Sequence, residues 1–236
     1  MTTIEHNLQA VRARIEAACR ACGRDPQSVT LLAVSKTFGL DAIAAARIAG
    51  QQAFGENYIQ EAVGKITVLQ QSLPDGLPAP VWHCIGPVQS NKTRLVAEHF
   101  DWVHTVDRLK TAQRLNEQRP QGLAPLQVCI QVNVDGGANK SGVAPQELAE
   151  LAQHLTELPR LRLRGLMSLP EPAPDFEASK AVFMRVRALF DALNSQGYGL
   201  DVLSLGMSAD LEAAIHAGST LVRVGSAIFG ARSRAA

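Results

Sequence analysis

The sequence predicts a single α/β domain, a closed (β/α)₈ TIM barrel with an additional N-terminal helix, and three observations carry that prediction. Short β-rich apolar runs alternate with helical segments eight times along the 236 residues. Strands joined through helices pair in parallel, because a parallel connection needs a crossover long enough to hold a helix. The runs are nearly unbroken in apolar character, which suits strands covered on the outside by helices. No linker-like composition or low-complexity tract divides residues 1–236, so the chain reads as one domain, and eight units in this length favour a closed barrel over an open doubly wound sheet.

The elements follow in order. Ile4, Leu8, Val11, Ile15 and Ala18 recur at helical spacing with charges between them, an opening amphipathic helix. "VTLLAVS" is the first strand, and "LDAIAAARIAG" its helix, ended by Gly50. "QAFGE" is a short second strand before the helical "YIQEAVGKITVLQQSL"; the loop "PDGLPAP" leads into the third strand, "VWHCIG". The helix "SNKTRLVAEHF", the strand "WVHTV" and the helix "DRLKTAQRLNEQ" complete the first half. The second half repeats the rhythm: strand "LQVCIQVNV", helix "APQELAELAQHL", strand "LRGLMSL", long helix "DFEASKAVFMRVRALFDALN", strand "LDVLSLGM" and helix "SADLEAAIHAG". "TLVRVGSAIFG" closes the series as a strand and turn.

Composition excludes several function classes. The formal net charge is +1 with no block of like charges, so neither a nucleic-acid surface nor an acidic tail is expected. The N-terminus has no apolar core of a signal peptide and no span approaches membrane length, which makes the cytoplasm the expected compartment and excludes a membrane partner. Four cysteines are too few for a disulfide framework, and the pair in "CRAC", Cys19 and Cys22, has no second pair to complete a zinc tetrahedron. No metal is expected.

Reactive residues in a parallel barrel collect where strands stop and βα loops begin. Lys36, one of six lysines, follows the first strand and projects there. A lysine in that position either snorkels to solvent or, when partly desolvated, presents a neutral amine able to condense with an aldehyde. After the seventh strand, "GMSAD" offers the turn at Gly206 and the hydroxyl of Ser208; after the eighth, "VRVGSAIFG" offers Gly225, which lets backbone approach a ligand, and Ser226, positioned to cap a short helix beginning near Ala227. Barrels bind phosphate with these two loops, although either serine would also serve as a plain N-cap. Arg223 lies between Val222 and Val224, on the opposite face of its strand from both. Its guanidinium needs an acceptor inside, which a structural carboxylate or a heteroaromatic nitrogen of a ligand would supply.

Aldehyde anchor, phosphate cradle and barrel together suggest pyridoxal 5′-phosphate. The motifs "AVSKTF", "FGENYIQE", "WHCIGPVQSNK", "VHTVDR", "QVNVDGGANKSG", "LRGLMSLP" and "GMSADLEAAIHAGSTLVRVGSAIFGAR" closely resemble the pyridoxal phosphate homeostasis proteins, in the same order over about residues 4 to 232. The broader resemblance is to the N-terminal barrel of alanine racemase. It implies that Lys36 holds the cofactor as a Schiff base, that Ser208, Gly225 and Ser226 bind its phosphate, and that Arg223 donates to the pyridine nitrogen. A charged donor there leaves the nitrogen unprotonated and weakens the ring as an electron sink. Asn57, His83 and Met207 match positions lining the ring or its surroundings; from the residues alone, Asn57 also reads as a helix cap and His83 as a core histidine. Lys140 in "NKSG" is a second amine near the mouth, or a solvated lysine.

Departures from alanine racemase matter equally. The chain ends at "GARSRAA", immediately after the eighth unit, without the β-domain that brings the racemase its second acid/base, and neither Tyr58 nor Tyr198 is an obvious substitute. Cys84 stands where many family members have phenylalanine, which bears on local packing. The expectation is therefore a monomeric protein that sequesters pyridoxal phosphate and delivers it to apo-enzymes that depend on it. The alternatives are an amino-acid racemase or lyase using the same anchor, and a barrel that binds another phosphorylated metabolite without a covalent bond.

Overall fold

The computed structural model describes residues 2–71, 78–136 and 141–230. Its eight strands form a closed parallel barrel in sequence order, the architecture the sequence predicts. They are β1 (Thr30–Val34), β2 (Ala53–Glu56), β3 (Val81–Cys84), β4 (Trp102–Val106), β5 (Leu126–Gln131), β6 (Leu161–Met167), β7 (Val202–Ser204) and β8 (Leu221–Val224). Closure runs through β1 and β8, with register from Thr30 opposite Leu221 to Ala33 opposite Val224. Between successive strands lie α2 (Leu40–Ile48), α3 (Ile59–Gln71), α4 (Thr93–His99), α5 (Leu109–Gln118), α6 (Leu148–Thr156), α7 (Phe176–Ser195) and α8 (Leu211–His216). The helix α1 (Thr3–Ala21) precedes the barrel and a single-turn helix, α9 (Ser226–Phe229), follows β8.

The alternation of side chains across each strand divides the interior in two. Outward residues such as Ala33, Phe54, Trp82, Val103, Val128, Leu203, Val222 and Val224 pack beneath the helices in the main core. Burying each of the larger ones stabilises the fold by about 1.5–3 kcal/mol. Inward residues Leu32, Cys129, Met167, Val202 and Leu221 form a smaller cluster inside the barrel, joined by Ile85 and Trp102. That inner space is not wholly apolar, for His83, His104, Ser204 and Arg223 are buried too.

The helix α1 starts earlier and ends later than apolar spacing alone suggests, because Thr2 and Glu5 form a capping box and Cys22 closes the C-terminal end with its backbone N–H. Cys19 is a buried helix residue and both cysteines are free. Leu8, Val11, Ile15 and Ala18 form the buried stripe of α1, which packs on α8, α9 and α2 beside the loops that follow β7 and β8. Asn7 Nδ2 donates to Ile228 O at 2.9 Å, tying α1 to α9. Two boundaries differ from the sequence reading: β5 stops at Gln131, after which Val132 bridges Val143, and the last segment is a strand of four residues followed by α9. No helix among the described residues is long and apolar enough to cross a membrane.

Candidate functional site

A cavity of about 370 Å³ opens at the C-terminal mouth of the barrel, lined by Lys36, Asn57, Met207, Ser208, Arg223, Gly225 and Ser226 together with apolar side chains including Val34, Ile85 and Met167. Seven of the eight sequence-predicted residues therefore meet in one space. The eighth, His83, does not line it. On β3 the outward positions are Trp82 and Cys84, so His83 points inward one step below Ile85, and Ile85 is the residue that reaches the cavity. His83 lines instead a cavity at the opposite end of the barrel, stacked on Trp102 with ring centroids 5.2 Å apart. Lys140 lies outside the described residues.

Lys36 sits in a turn held from below. Its neighbour Thr37 has φ 68°, a left-handed conformation that costs a non-glycine residue about 1 kcal/mol or more. The conformation is fixed by hydrogen bonds: Thr37 N donates to Glu61 Oε1 at 2.8 Å, and Phe38 N to Ser35 O at 3.0 Å. Beneath the turn, Lys65 Nζ reaches Ser35 O at 3.0 Å, Glu56 Oε1 at 2.9 Å and Glu61 Oε1 at 2.5 Å, while Ser35 Oγ donates to Glu56 Oε1 at 2.7 Å. Burial pushes the Glu56 carboxyl up, and Lys65 and Ser35 pull it back. A buried ion pair from β2 and α3 thus holds the chain that carries Lys36.

The two serine turns are freer than N-caps would be. The N-cap of α8 is Asp210, and that of α9 is Gly225, which makes Ser226 the first helical residue and not the cap expected from sequence. Among the described residues neither the Ser208 nor the Ser226 hydroxyl makes a hydrogen bond to protein. Gly206, at φ 86°, is required where it is: a Cβ there would lie 2.5 Å from Ala214 Cβ. The turn is closed by Met207 N donating to Asp210 Oδ1 at 2.5 Å, and Arg14 Nη2 holds Ser208 O at 2.9 Å. Gly225 has negative φ and lies close against β1, where a Cβ would make a tight 3.2 Å contact with Val34 O. Asn57 lines the same cavity with a buried Oδ1 that has no hydrogen-bond partner among the described residues, so it is not a helix cap.

Arg223 points inward, and its protein acceptors are backbone carbonyls and a serine hydroxyl in place of a structural carboxylate. Nη1 donates to Ser204 O at 2.6 Å and Ser204 Oγ at 2.7 Å, and Nη2 to Ser168 O at 3.0 Å. These use three of the five guanidinium N–H donors. Burial lowers its pKa to about 10, so it stays charged at neutral pH.

Several supporting residues escaped the sequence reading. Lys65 falls in the buried stripe of α3 with Ala62, Ile66 and Leu69, a place where a lysine must find an anion. His104 stands between Val103 and Thr105 in "WVHTV" much as Arg223 stands in "LVRV", and the same alternation argument applies to it. Ser204 has no such signal, since a serine in a strand is ordinary.

Comparison with known proteins gives a consistent result. The family described as alanine racemase, N-terminal domain, matches residues 4–233. A pyridoxal phosphate homeostasis protein of Pseudomonas aeruginosa is 59% identical over 98% of this chain and 97% of its own. The protein of the same name from Escherichia coli K12 is 55% identical over 98% of each. The solved structure of PipY from Synechococcus elongatus with PLP bound is 35% identical, covers 96% of this chain and 100% of its own, and superposes with a TM-score of 0.82.

Proposed function

This chain belongs to the pyridoxal phosphate homeostasis proteins, within the alanine racemase N-terminal domain family, and from that premise we propose that it binds pyridoxal 5′-phosphate in the mouth cavity. Lys36 holds the cofactor as a Schiff base, its amine condensing with the aldehyde and releasing water. Ser208 and Ser226 donate to the phosphate, beside the N–H groups of Ser226 and Ala227 that precede the first α9 bond, Ile228 N to Gly225 O at 2.9 Å. Arg223 donates to the ring nitrogen. The observation that carries this reading is the pair of serine hydroxyls, committed to no acceptor among the described residues, in one cavity with Lys36. The volume of about 370 Å³ suits a small ligand.

When bound, pyridoxal phosphate supplies an aldehyde that condenses with amines and a ring that withdraws electrons. A charged Arg223 at the ring nitrogen keeps a proton off that atom, which favours retention of the cofactor over carbanion chemistry. On this reading the protein sequesters pyridoxal phosphate and passes it to apo-enzymes, acting in the cytoplasm as a monomer. A racemase or lyase would need a second acid/base facing the cavity, and Tyr58 lines an adjoining space with Asn57 instead.

Absorbance tests the anchor. Protein mixed with pyridoxal phosphate is expected to develop a band near the visible edge that borohydride traps on Lys36, with the band lost in Lys36→Ala. No band in the wild type refutes binding of this kind, and binding of the phosphate ester that survives Lys36→Ala with unchanged affinity replaces it with non-covalent capture. Turnover of L- or D-amino acids that disappears in Lys36→Ala would overturn the storage role.

A further inference from the structure

A column of polar side chains crosses the barrel interior beneath the mouth cavity. His83 Nδ1 lies 2.9 Å from His104 Nε2, His104 Nδ1 lies 2.8 Å from Ser204 Oγ, and Ser204 Oγ accepts from Arg223 Nη1 at 2.7 Å. All four residues are buried. The column starts at His83, in the wall of the lower cavity, and ends at Arg223, in the wall of the upper one.

Its hydrogens can be assigned by elimination. Ser204 Oγ already accepts from Arg223, and among the described residues its own proton has one neighbouring acceptor, His104 Nδ1. His104 then carries its proton on Nε2 and donates to His83 Nδ1. Every bond runs in one donor direction, from Arg223 through Ser204 and His104 to His83. The arrangement requires two neutral rings, and burial supplies that: it lowers His83 to about 3 and His104 well below its ordinary value, the latter aided by His83 and Arg223.

The acceptors given to Arg223 are all neutral: the carbonyls of Ser204 and Ser168 and the Ser204 hydroxyl. A buried arginine paired with a carboxylate would have its charge cancelled on the spot. Here Asp210 acts on it only through space. We propose that Ser204 and His104, backed by His83, are positioning residues that fix the plane of the Arg223 guanidinium and leave its charge uncancelled toward the mouth cavity. The inference rests on the reading that this cavity holds pyridoxal phosphate with its ring nitrogen at Arg223.

The test compares the two ends of the cavity in the full chain. Wild type, His104→Leu, His104→Asn and Ser204→Ala are titrated with pyridoxal phosphate, recording the band maximum and Kd, and inorganic phosphate is used as a competitor to report the serine end. His104→Leu and Ser204→Ala should each shift the band and raise Kd roughly threefold to tenfold, with the phosphate competition constant unchanged. His104→Asn, whose amide stands near the former Nδ1, should restore most of the wild-type spectrum. Equal weakening at both ends would mean general loosening and overturns the inference, as does a band that neither substitution moves. Should His104→Leu fail to fold, Ser204→Ala carries the comparison alone. A wild type without a band removes the underlying reading and this inference with it, whereas a wild-type band insensitive to both changes removes the inference only.

Discussion

The two ends of the barrel hold cavities of opposite character. The lower is larger, about 720 Å³ against about 370 Å³ at the mouth, and it has charge: Arg12, Arg164 and Asp201 line it. Yet those groups are already occupied. Arg164 forms a two-point pair with Asp201 at 2.8 and 2.5 Å, bonds Gln127 and lies over the Trp102 ring, while Arg12 donates to Ala49 O. At the mouth, the Ser208 and Ser226 hydroxyls and Asn57 Oδ1 have no hydrogen-bond partner among the described residues. Volume says where a ligand would fit; uncommitted donors and acceptors say where one is expected.

The sharpest way to break the contrast is to disturb what supports the mouth. Lys65→Met leaves Glu56 buried without its cation, and loss of one member of such a pair costs about 3–5 kcal/mol. Urea unfolding should show this loss, and the same variant should capture pyridoxal phosphate weakly even when folded, because the turn at Thr37 has lost the chain of contacts through Glu61. A variant of near wild-type stability with an unaltered band would show that the ion pair is incidental to Lys36.

Next in size is the serine pair. Ser208→Ala with Ser226→Ala removes two charge-assisted hydrogen bonds and should raise the Kd for pyridoxal phosphate by about 100-fold, more than either change alone. Arg164→Met at the floor should change Kd less than about twofold and cost under about 1 kcal/mol of stability, since Asp201 is half exposed and its pairing is screened. Similar effects from both ends would erase the distinction.

How much of this was legible in the sequence depends on the kind of signal. Strand order and Lys36 were, because β-rich runs and a lysine at a strand end are local patterns. Arg223 was legible as an inward charge, but its acceptors were not: the Ser204 carbonyl at the end of β7 and the Ser168 carbonyl just after β6 lie 19 and 55 residues away. Ser226 looked like a cap because sequence cannot say whether α9 begins at Ala227 or one residue earlier, and that single residue decides whether its hydroxyl is spent. For His83 the sequence left two readings open, and its burial bears out the core histidine. Its inward face was readable, but whether it or Ile85 reaches the mouth depends on depth within the tilted barrel.

The polar column links the two ends and gives the comparison a pH dependence. His83 has an ordinary value of 6.5 and is held near 3 by burial, so below pH 6.5 the unfolded chain takes up a proton that the folded one refuses. Stability is complete above that value and falls as pH drops toward 3, by about 2 kcal/mol between pH 7 and pH 5 for this residue alone. His104 adds loss in the same direction. Urea midpoints at pH 7, 6 and 5 measure the slope, and His83→Phe, which keeps an aromatic ring against Trp102, should flatten it. An equal slope in that variant would assign the acid sensitivity elsewhere.

The smallest effect tests whether the helix outside the barrel belongs to the site. Arg14 of α1 holds the Ser208 carbonyl and a two-point pair with Glu212, with Nε to Oε1 at 2.8 Å. Both side chains are more than a third exposed, so the ion pair contributes under about 1 kcal/mol and weakens in salt. The Arg14 hydrogen bond lowers Glu212 below its ordinary 4.5; its contribution is therefore full above that value and lost as pH falls through the depressed one. The carbonyl bond is a different matter, because it acts on the cradle and not on the charge. Arg14→Met should raise Kd for pyridoxal phosphate roughly twofold to fivefold, and Glu212→Gln, which leaves Arg14 on the Ser208 carbonyl, should leave Kd near wild type. If the two variants bind alike, Gly206 and Asp210 alone hold the Ser208 turn, and α1 contributes packing and nothing more.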